Sequence, residues 1–388
     1  MVIAELKYLN YNPENMKLSR RKFIGNGTAL AALSIVPASA LKGAVMKEPA
    51  ISPVPVPAPV PDSNFGGVQI GAITYSWRSM PGGIENIIKY CRQSGLSSIE
   101  LMSGDLESWL GAPENPMAGM FGPPPQAGGQ RPPGTPGQQP TGTPGQRPPG
   151  TPGQQPAGTP GQRPRRTPEQ EAAITKYNQD LKDWRLSLPM SRVEQARKLF
   201  NDAGIKVHIV KFSPARWSDE EIDYAFRAAK AMGAGGVTEE IGEEAVAKLG
   251  PAAHKHGMYA IFHNHMQFAT PGFSYDPFLA VSPAVMMNFD AGHFFGSTGI
   301  HPNSIIEKYH DRIYSIHLKD KTGPETDPAN TNQVWGQGEV PIADILLLLK
   351  KQKWPINVDI ELEYDIKPWS DAVKETKICT GFARQILI

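Results

Sequence analysis

The stretch FHNHMQF at residues 262–268, followed by NFDAGHFF at 288–295, SIHLKD at 315–320 and VDIELEY at 358–364, decides how this chain folds. Each piece reads as the end of a β-strand, and each ends in groups that bind a divalent metal or move a proton. His263 and His265, Asp290 and His293, His317, then Glu361 and Glu363 recur at roughly even spacing, with helical sequence between them. Four successive βα units therefore deliver imidazoles and carboxylates to one rim. In a closed parallel barrel all strands run the same way, so residues at their C-terminal ends converge on a single mouth.

Working outward, strand-like and helix-like segments alternate from about Phe65 to the end. Strands are expected at Val68–Tyr75, Ser98–Met102, Val207–Phe212, Gly236–Ile241, Tyr259–His265, Val285–Asp290, Ile313–Lys319 and Ile356–Tyr364. Helices fit between them at 83–94, 192–203, 219–232, 243–256 and 342–352, several closed by a glycine such as Gly95, Gly233 or Gly257. Eight such units imply an α/β fold, a single (β/α)8 TIM barrel over residues 65–388, rather than an open doubly wound sheet. No G-x-G-x-x-G follows the first strand, which argues against dinucleotide binding.

One insertion breaks the alternation after strand 2. Residues 113–168 are almost wholly Pro, Gly, Gln, Thr and Arg. Thr-Pro-Gly-Gln begins at Thr135, Thr143, Thr151 and Thr159, with a decayed copy, Thr-Pro-Glu-Gln, at Thr167. Such a repeat has no apolar face to bury, so a disordered or polyproline-like segment is expected, more a tolerated expansion than a lid. At the N-terminus, SRRKFI at 19–24 precedes a mildly apolar run and Ala38-Ser39-Ala40. Residues 1–40 thus read as a twin-arginine export signal, which places the mature protein in the periplasm or otherwise outside the cytoplasm. A Pro-rich spacer follows over 41–64, and the apolar run is too short for a permanent membrane span.

Composition narrows the partners. The net charge is +1 over 388 residues, which gives no general attraction to nucleic acid. Cys91 and Cys379 fall in the expected first and last barrel helices, neighbours in a closed barrel. They leave two readings open, a disulfide or a pair of inert buried thiols, with the second favoured.

The chemistry rests on the company each residue keeps. A lone histidine in a strand is most often a hydrogen-bonded core residue, but here Asp290, His317 and Glu361 end neighbouring strands. Two imidazoles and two carboxylates suit one divalent Mn, Co, Fe or Zn ion better than Ca or Mg. Asp359, Glu361 and Glu363 alternate on one face, a costly arrangement unless a cation or shared proton relieves it. Glu361 is the expected ligand among them, with the other two open to ordinary ion pairing. His293, just past its strand, suits substrate contact. Further rim candidates are Tyr75 and Arg78, Glu100, Lys211, Glu239 and Glu240, Lys319, and Trp335 as a sugar-stacking face. Lys211 could hold an oxyanion or act as an acid.

NFDAGH, then RIYSIHLKD, GQGEVPI and the 354–361 segment resemble, in order and spacing, the sugar phosphate isomerases/epimerases of the xylose isomerase-like barrel superfamily. That resemblance covers about residues 65–388. It implies one divalent metal held from strands five to eight, by position His263, Asp290, His317 and Glu361. Ketose epimerases of that group carry a glutamate in strand five as ligand and base. Here HNH stands in its place, which resembles the inosose dehydratase branch. His263 and His265 can exchange the roles of ligand and base, and the choice stays open. With His265, Lys211 and Glu240 as catalytic candidates, the resemblance implies a small sugar or keto-sugar substrate and proton transfer next to a carbonyl, by isomerase or epimerase chemistry. A β-eliminating lyase or dehydratase is the alternative, and a non-catalytic carbohydrate-binding barrel the third.

Overall fold

The computed structural model describes residues 60–117 and 166–388. The expected export signal, most of the spacer and residues 118–165 of the insertion lie outside them. Eight barrel strands follow one another: β1 (Val68–Ile73), β2 (Ser98–Met102), β3 (Lys206–Lys211), β4 (Gly236–Glu240), β5 (Tyr259–His263), β6 (Val285–Asp290), β7 (Ile313–Leu318) and β8 (Asn357–Ile360). Each pairs in parallel with the next, and β8 returns to β1 through Val358↔Ile70, so the sheet closes on itself. The chain is the expected single parallel barrel.

Helices α1 (Ile84–Ser94), α2 (Ser103–Leu110), α3 (Pro168–Ser187), α4 (Met190–Asp202), α5 (Asp219–Met232) and α6 (Glu243–His256) come before β5. Helices α7 (Ala291–Thr298), α8 (Asn303–Tyr309), α9 (Ile342–Gln352) and α10 (Ala372–Leu387) complete the outer ring. Local sequence sets their ends. Ser218 and Glu221 form a capping box that starts α5, and Gly233, at φ 81°, stops it in a left-handed turn. None of the helices among the described residues is long and apolar enough to cross a membrane. Cys91 and Cys379, on the packed pair α1 and α10, are both buried and are not joined in a disulfide. Burial pushes the Cys91 thiol pKa well up, as an inert thiol requires.

Three strands end two or more residues sooner than their sequence suggests. β1 gives way to a 3-10 turn at Thr74–Trp77, β5 stops at His263, and β8 stops at Ile360. At the mouth, side chains take over from the ladder: Leu362 N donates to Ser76 Oγ at 3.0 Å, and the Arg78 guanidinium donates to Leu362 O at 2.6 Å. His265, Glu361 and Glu363 therefore stand on the loops just beyond the strands.

The far edge of the insertion is also a correction. Disorder was expected to Pro168, yet Thr167 caps α3: its hydroxyl accepts from Gln170 N at 3.3 Å, and Gln170 Oε1 accepts from Thr167 N at 3.0 Å. The glutamate that interrupts the last repeat, with Pro168 at the first helical position, turns a coil motif into a helix start. The helix α3 itself, like α2, was not anticipated. Its one buried side chain among the described residues is Arg185. That guanidinium grips Glu107 of α2 through two hydrogen bonds, at 2.8 and 3.1 Å, and Glu221 of α5 at 3.0 Å. It also lies 3.5 Å over the Trp217 ring.

The barrel lumen is layered. By alternation Ile261 and Met286 share the inward face with His263 and Asn288, and they pack together in a small apolar cluster. Below the mouth residues the lumen also holds a buried polar group. His208 Nε2 meets Asp359 Oδ2 at 2.9 Å, His208 Nδ1 meets Ser98 Oγ at 2.9 Å, and Ser315 Oγ donates to Asp359 Oδ2 at 2.5 Å. Asp359 thus pairs with a histidine rather than with Lys or Arg. Gly71 is needed beside it, since a Cβ there would stand 2.6 Å from Asp359 Oδ1.

Candidate active site

At the mouth, β5 to β8 bring His263, Asp290, His317 and Glu361 together, with one ligand atom from each lying within 4.8 Å of the others. All four are nearly or wholly buried. His317 is held between two carboxylates, Nδ1 at 2.9 Å from Glu361 Oε2 and Nε2 at 2.7 Å from Glu100 Oε2. Burial opposes charge on this ring, but Glu361 and Glu100 outweigh it and raise its pKa well above the ordinary imidazole value. His263 goes the other way. Burial, then the charges of His317 and Lys211, push its pKa well down, and its Nδ1 has no hydrogen-bond partner among the described residues. A neutral imidazole with an unused nitrogen, two carboxylates and a second imidazole make a donor set that fits a divalent transition metal.

His265 faces a different partner. Its Nε2 lies 3.0 Å from Glu240 Oε2, while Glu240 Oε1 accepts from Lys211 Nζ at 2.8 Å. Burial favours a neutral Glu240, yet the hydrogen bond from His265 and the Lys211 ammonium hold its pKa down at about 2. The Glu240 hydrogen bond in turn raises the pKa of His265 against partial burial. The ring centroids of His263 and His265 are 4.8 Å apart, and those of His265 and His293 are 4.9 Å apart. The pair of strand-five histidines is therefore split between the buried donor set and a half-exposed Glu240–His265 dyad beside it.

Other candidates fall elsewhere. Glu100 was expected to touch substrate, but it is fully buried beneath His317, fixed there by Asn288 Nδ2 at 2.9 Å. It positions His317. Glu239 accepts from Ala215 N and Glu240 N, both at 2.8 Å, and pins a loop. Trp335 does not offer a stacking face: it is 3 % exposed and packs edge-on against Phe382 of α10. Its loop is held by Asp320, whose carboxylate accepts from the backbone amides of Lys321, Gly336, Gly338 and Val340. Gly338 is obligatory there, as a Cβ would meet Asp320 Oδ1 at 2.2 Å. Tyr75 is exposed at the rim with the Arg78 guanidinium 4.4 Å from its ring centre, and His293 lies 3.6 Å from Glu363. Lys319 is not at the surface: its ammonium lies within 2.9 Å of Asp290, Glu361 and Glu363.

Asn288 is the participant that sequence reasoning left without a role, whereas Glu363 makes the ion pair left open for it, with Lys319. Asn288 stands two residues before Asp290, so strand alternation already aimed it into the lumen. Two clefts of about 540 and 660 Å³ flank α3, but neither is lined by a residue of the donor set.

A closed parallel barrel with a mixed imidazole and carboxylate cluster at the C-terminal ends of β5 to β8 defines a class of proteins whose chemistry sits at the barrel mouth. This chain belongs to the xylose isomerase-like TIM barrel family, whose model matches residues 178–378, more than half of its length. Among solved structures, a xylose isomerase domain protein from Alicyclobacillus acidocaldarius aligns over 82% of this chain and 98% of its own, at TM-score 0.50 and 11% identity. A sugar phosphate isomerase/epimerase from Parabacteroides distasonis aligns over 86% and 100%, at TM-score 0.47 and 15% identity. A probable 3-DHS dehydratase from Bacillus anthracis aligns over 81% and 99%, at TM-score 0.47 and 12% identity. At these identities the likeness is one of fold. No curated protein gives a significant sequence match.

Proposed function

We propose that this protein is a metal-dependent sugar isomerase or epimerase that transfers a proton next to a carbonyl. The observation that carries the reading is the convergence of His263, Asp290, His317 and Glu361, which would hold one divalent ion. When bound, such an ion supplies Lewis-acid polarisation of a substrate oxygen and stabilises an adjacent carbanion as its enediolate. His265 is the proton acceptor. With Glu240 against Nε2, the neutral ring carries its proton there and leaves Nδ1 to take one from carbon. Lys211, kept charged by Glu240 and Glu100 against burial, holds an oxyanion or returns a proton. Export through a twin-arginine signal belongs to the same proposal, and it favours an unphosphorylated sugar.

A β-eliminating lyase is the second reading, favoured by one observation. The strand-five glutamate that pairs with the strand-eight glutamate in two-base epimerases is His263 here, already part of the donor set. One base, His265, with one acid, Lys211, suits elimination from a keto-glycoside or inosose.

Metal analysis of the purified protein tests the first claim. A stoichiometric transition metal should be present in the wild type and absent from Glu361→Ala; unchanged content in that variant would sink the ligand assignment. Solvent deuterium appearing in recovered keto-sugar then establishes proton transfer, and a new enone absorbance marks elimination instead. Neither signal with any keto-sugar would favour a barrel that only binds carbohydrate.

A further inference from the structure

Lys319 is built into the donor cluster. Its side chain is 2% exposed, and its Nζ lies 2.9 Å from Asp290 Oδ2, 2.8 Å from Glu361 Oε2 and 2.7 Å from Glu363 Oε2. The fold makes room for it: a Cβ at Gly292 would stand 2.3 Å from Lys319 Cγ and 2.9 Å from its carbonyl oxygen. The glycine of NFDAGH and the lysine of SIHLKD are thus two halves of one packing arrangement.

Two of the three carboxylates around this ammonium, Asp290 and Glu361, belong to the four-residue donor set, and the third, Glu363, does not. A divalent ion bound by Asp290 and Glu361 would approach their oxygens to about 2.0–2.2 Å. An ammonium on the same two oxygens would then face a double positive charge at close range in a poorly solvated site, where such repulsion is weakly screened. Glu363 is the most exposed of the three and lies beside His293, on the open side.

We propose that Lys319 and a divalent ion are alternative occupants of the Asp290–Glu361 carboxylate pair. Metal entry turns the ammonium off Asp290 and Glu361 and leaves it on Glu363, where it becomes a cation available to substrate. The inference rests on the metal reading above and adds a device to it. Loading the site and presenting Lys319 are one event, and without metal the lysine keeps the buried carboxylates compensated.

Calorimetric titration of the metal-stripped full chain with Mn²⁺ or Co²⁺ tests it, comparing wild type, Lys319→Met and Glu363→Gln at one pH. Removing a competitor that occupies the site most of the time should tighten binding by Lys319→Met at least about tenfold. Removing the retreat position should weaken binding by Glu363→Gln roughly tenfold, in the range of groups that support metal ligands. Metal-stripped Lys319→Met should melt below wild type, and saturating metal should close that gap. Wild type that binds metal no more weakly than Lys319→Met overturns the shared occupancy while leaving the metal site standing. If neither protein takes up metal, the metal reading itself falls and this inference with it. Uptake by Lys319→Met alone supports it in its strongest form. Should Lys319→Met fail to fold, Glu363→Gln decides: unchanged or tighter binding rejects the proposal.

Discussion

Glu240 stands between a lysine and a histidine, and that placement sets the protonation of the dyad. Its folded pKa, about 2, lies below that of a free carboxylate. Its contribution to stability is therefore present above the unfolded value near 4.3 and is lost as pH falls toward 2. For His265 the sign reverses, because a raised imidazole pKa stabilises the fold below about 6.5 and that part is lost as pH rises through the folded value. In its proposed role as base His265 must be neutral, so activity should rise with pH through this raised pKa. Following the His265 ring protons by NMR should give a midpoint above the ordinary imidazole value, and Glu240→Gln should bring it down. An unmoved midpoint would mean that the 3.0 Å contact does not govern the ring. At this scale much of the candidate site was legible, because His263, Asp290 and His317 lie at or one residue from strand ends and Glu361 just beyond one, in a period of two that is plain in sequence. Lys319, Glu100 and Trp335 were misplaced for a physical reason. Rim proximity follows from strand ends, but whether a long side chain turns inward depends on space left elsewhere, such as Gly292 for Lys319.

The helix α3 shows what an element can owe to one residue. Twenty residues long, it leaves Ile174, Tyr177, Leu181 and Trp184 only half-buried, and its one fully buried side chain among the described residues, Arg185, binds it to α2 and α5. Glu107, also reached by Tyr224 Oη at 3.2 Å, and Glu221 would be left as uncompensated carboxylates without that guanidinium. Arg185→Met should cost roughly 3–5 kcal/mol in denaturant unfolding, as expected for breaking a buried pair from one side. Hydrogen exchange should show the loss of protection concentrated in α3. By contrast, Lys176→Ala, which removes an exposed pair with Asp180, should change stability by less than about 0.5 kcal/mol. A uniform loss of protection across the barrel in Arg185→Met would mean that α3 is integral rather than clamped on. Amphipathic helices such as α5 and α6 could be read from apolar spacing and glycine stops. In α3 the signals were present, a Thr167–Gln170 capping box and Ile174, Tyr177, Leu181 and Trp184 at helical spacing, but they adjoin the repeats and their stripe is only half-buried.

For the whole molecule, closure of the barrel does not depend on the inserted repeats. The β8–β1 and β1–β2 pairings complete the ring, and α2 and α3, the elements on either side of residues 118–165, are joined directly through Glu107 and Arg185. This is also why the eight-strand alternation survived in the sequence with so long an interruption: the repeats enter between a finished βα unit and a helix with its own cap. Replacing residues 118–165 by a short Gly/Ser linker should therefore leave the melting temperature unchanged or slightly raised. Each halving of a flexible loop relieves closure entropy by roughly 0.6 kcal/mol. Metal content of the shortened protein should match the full chain, since every residue of the donor set lies on β5 to β8 or just beyond them. A fall of many degrees on thermal unfolding would show that the repeats pack on the barrel, and loss of metal alone would tie them to the mouth.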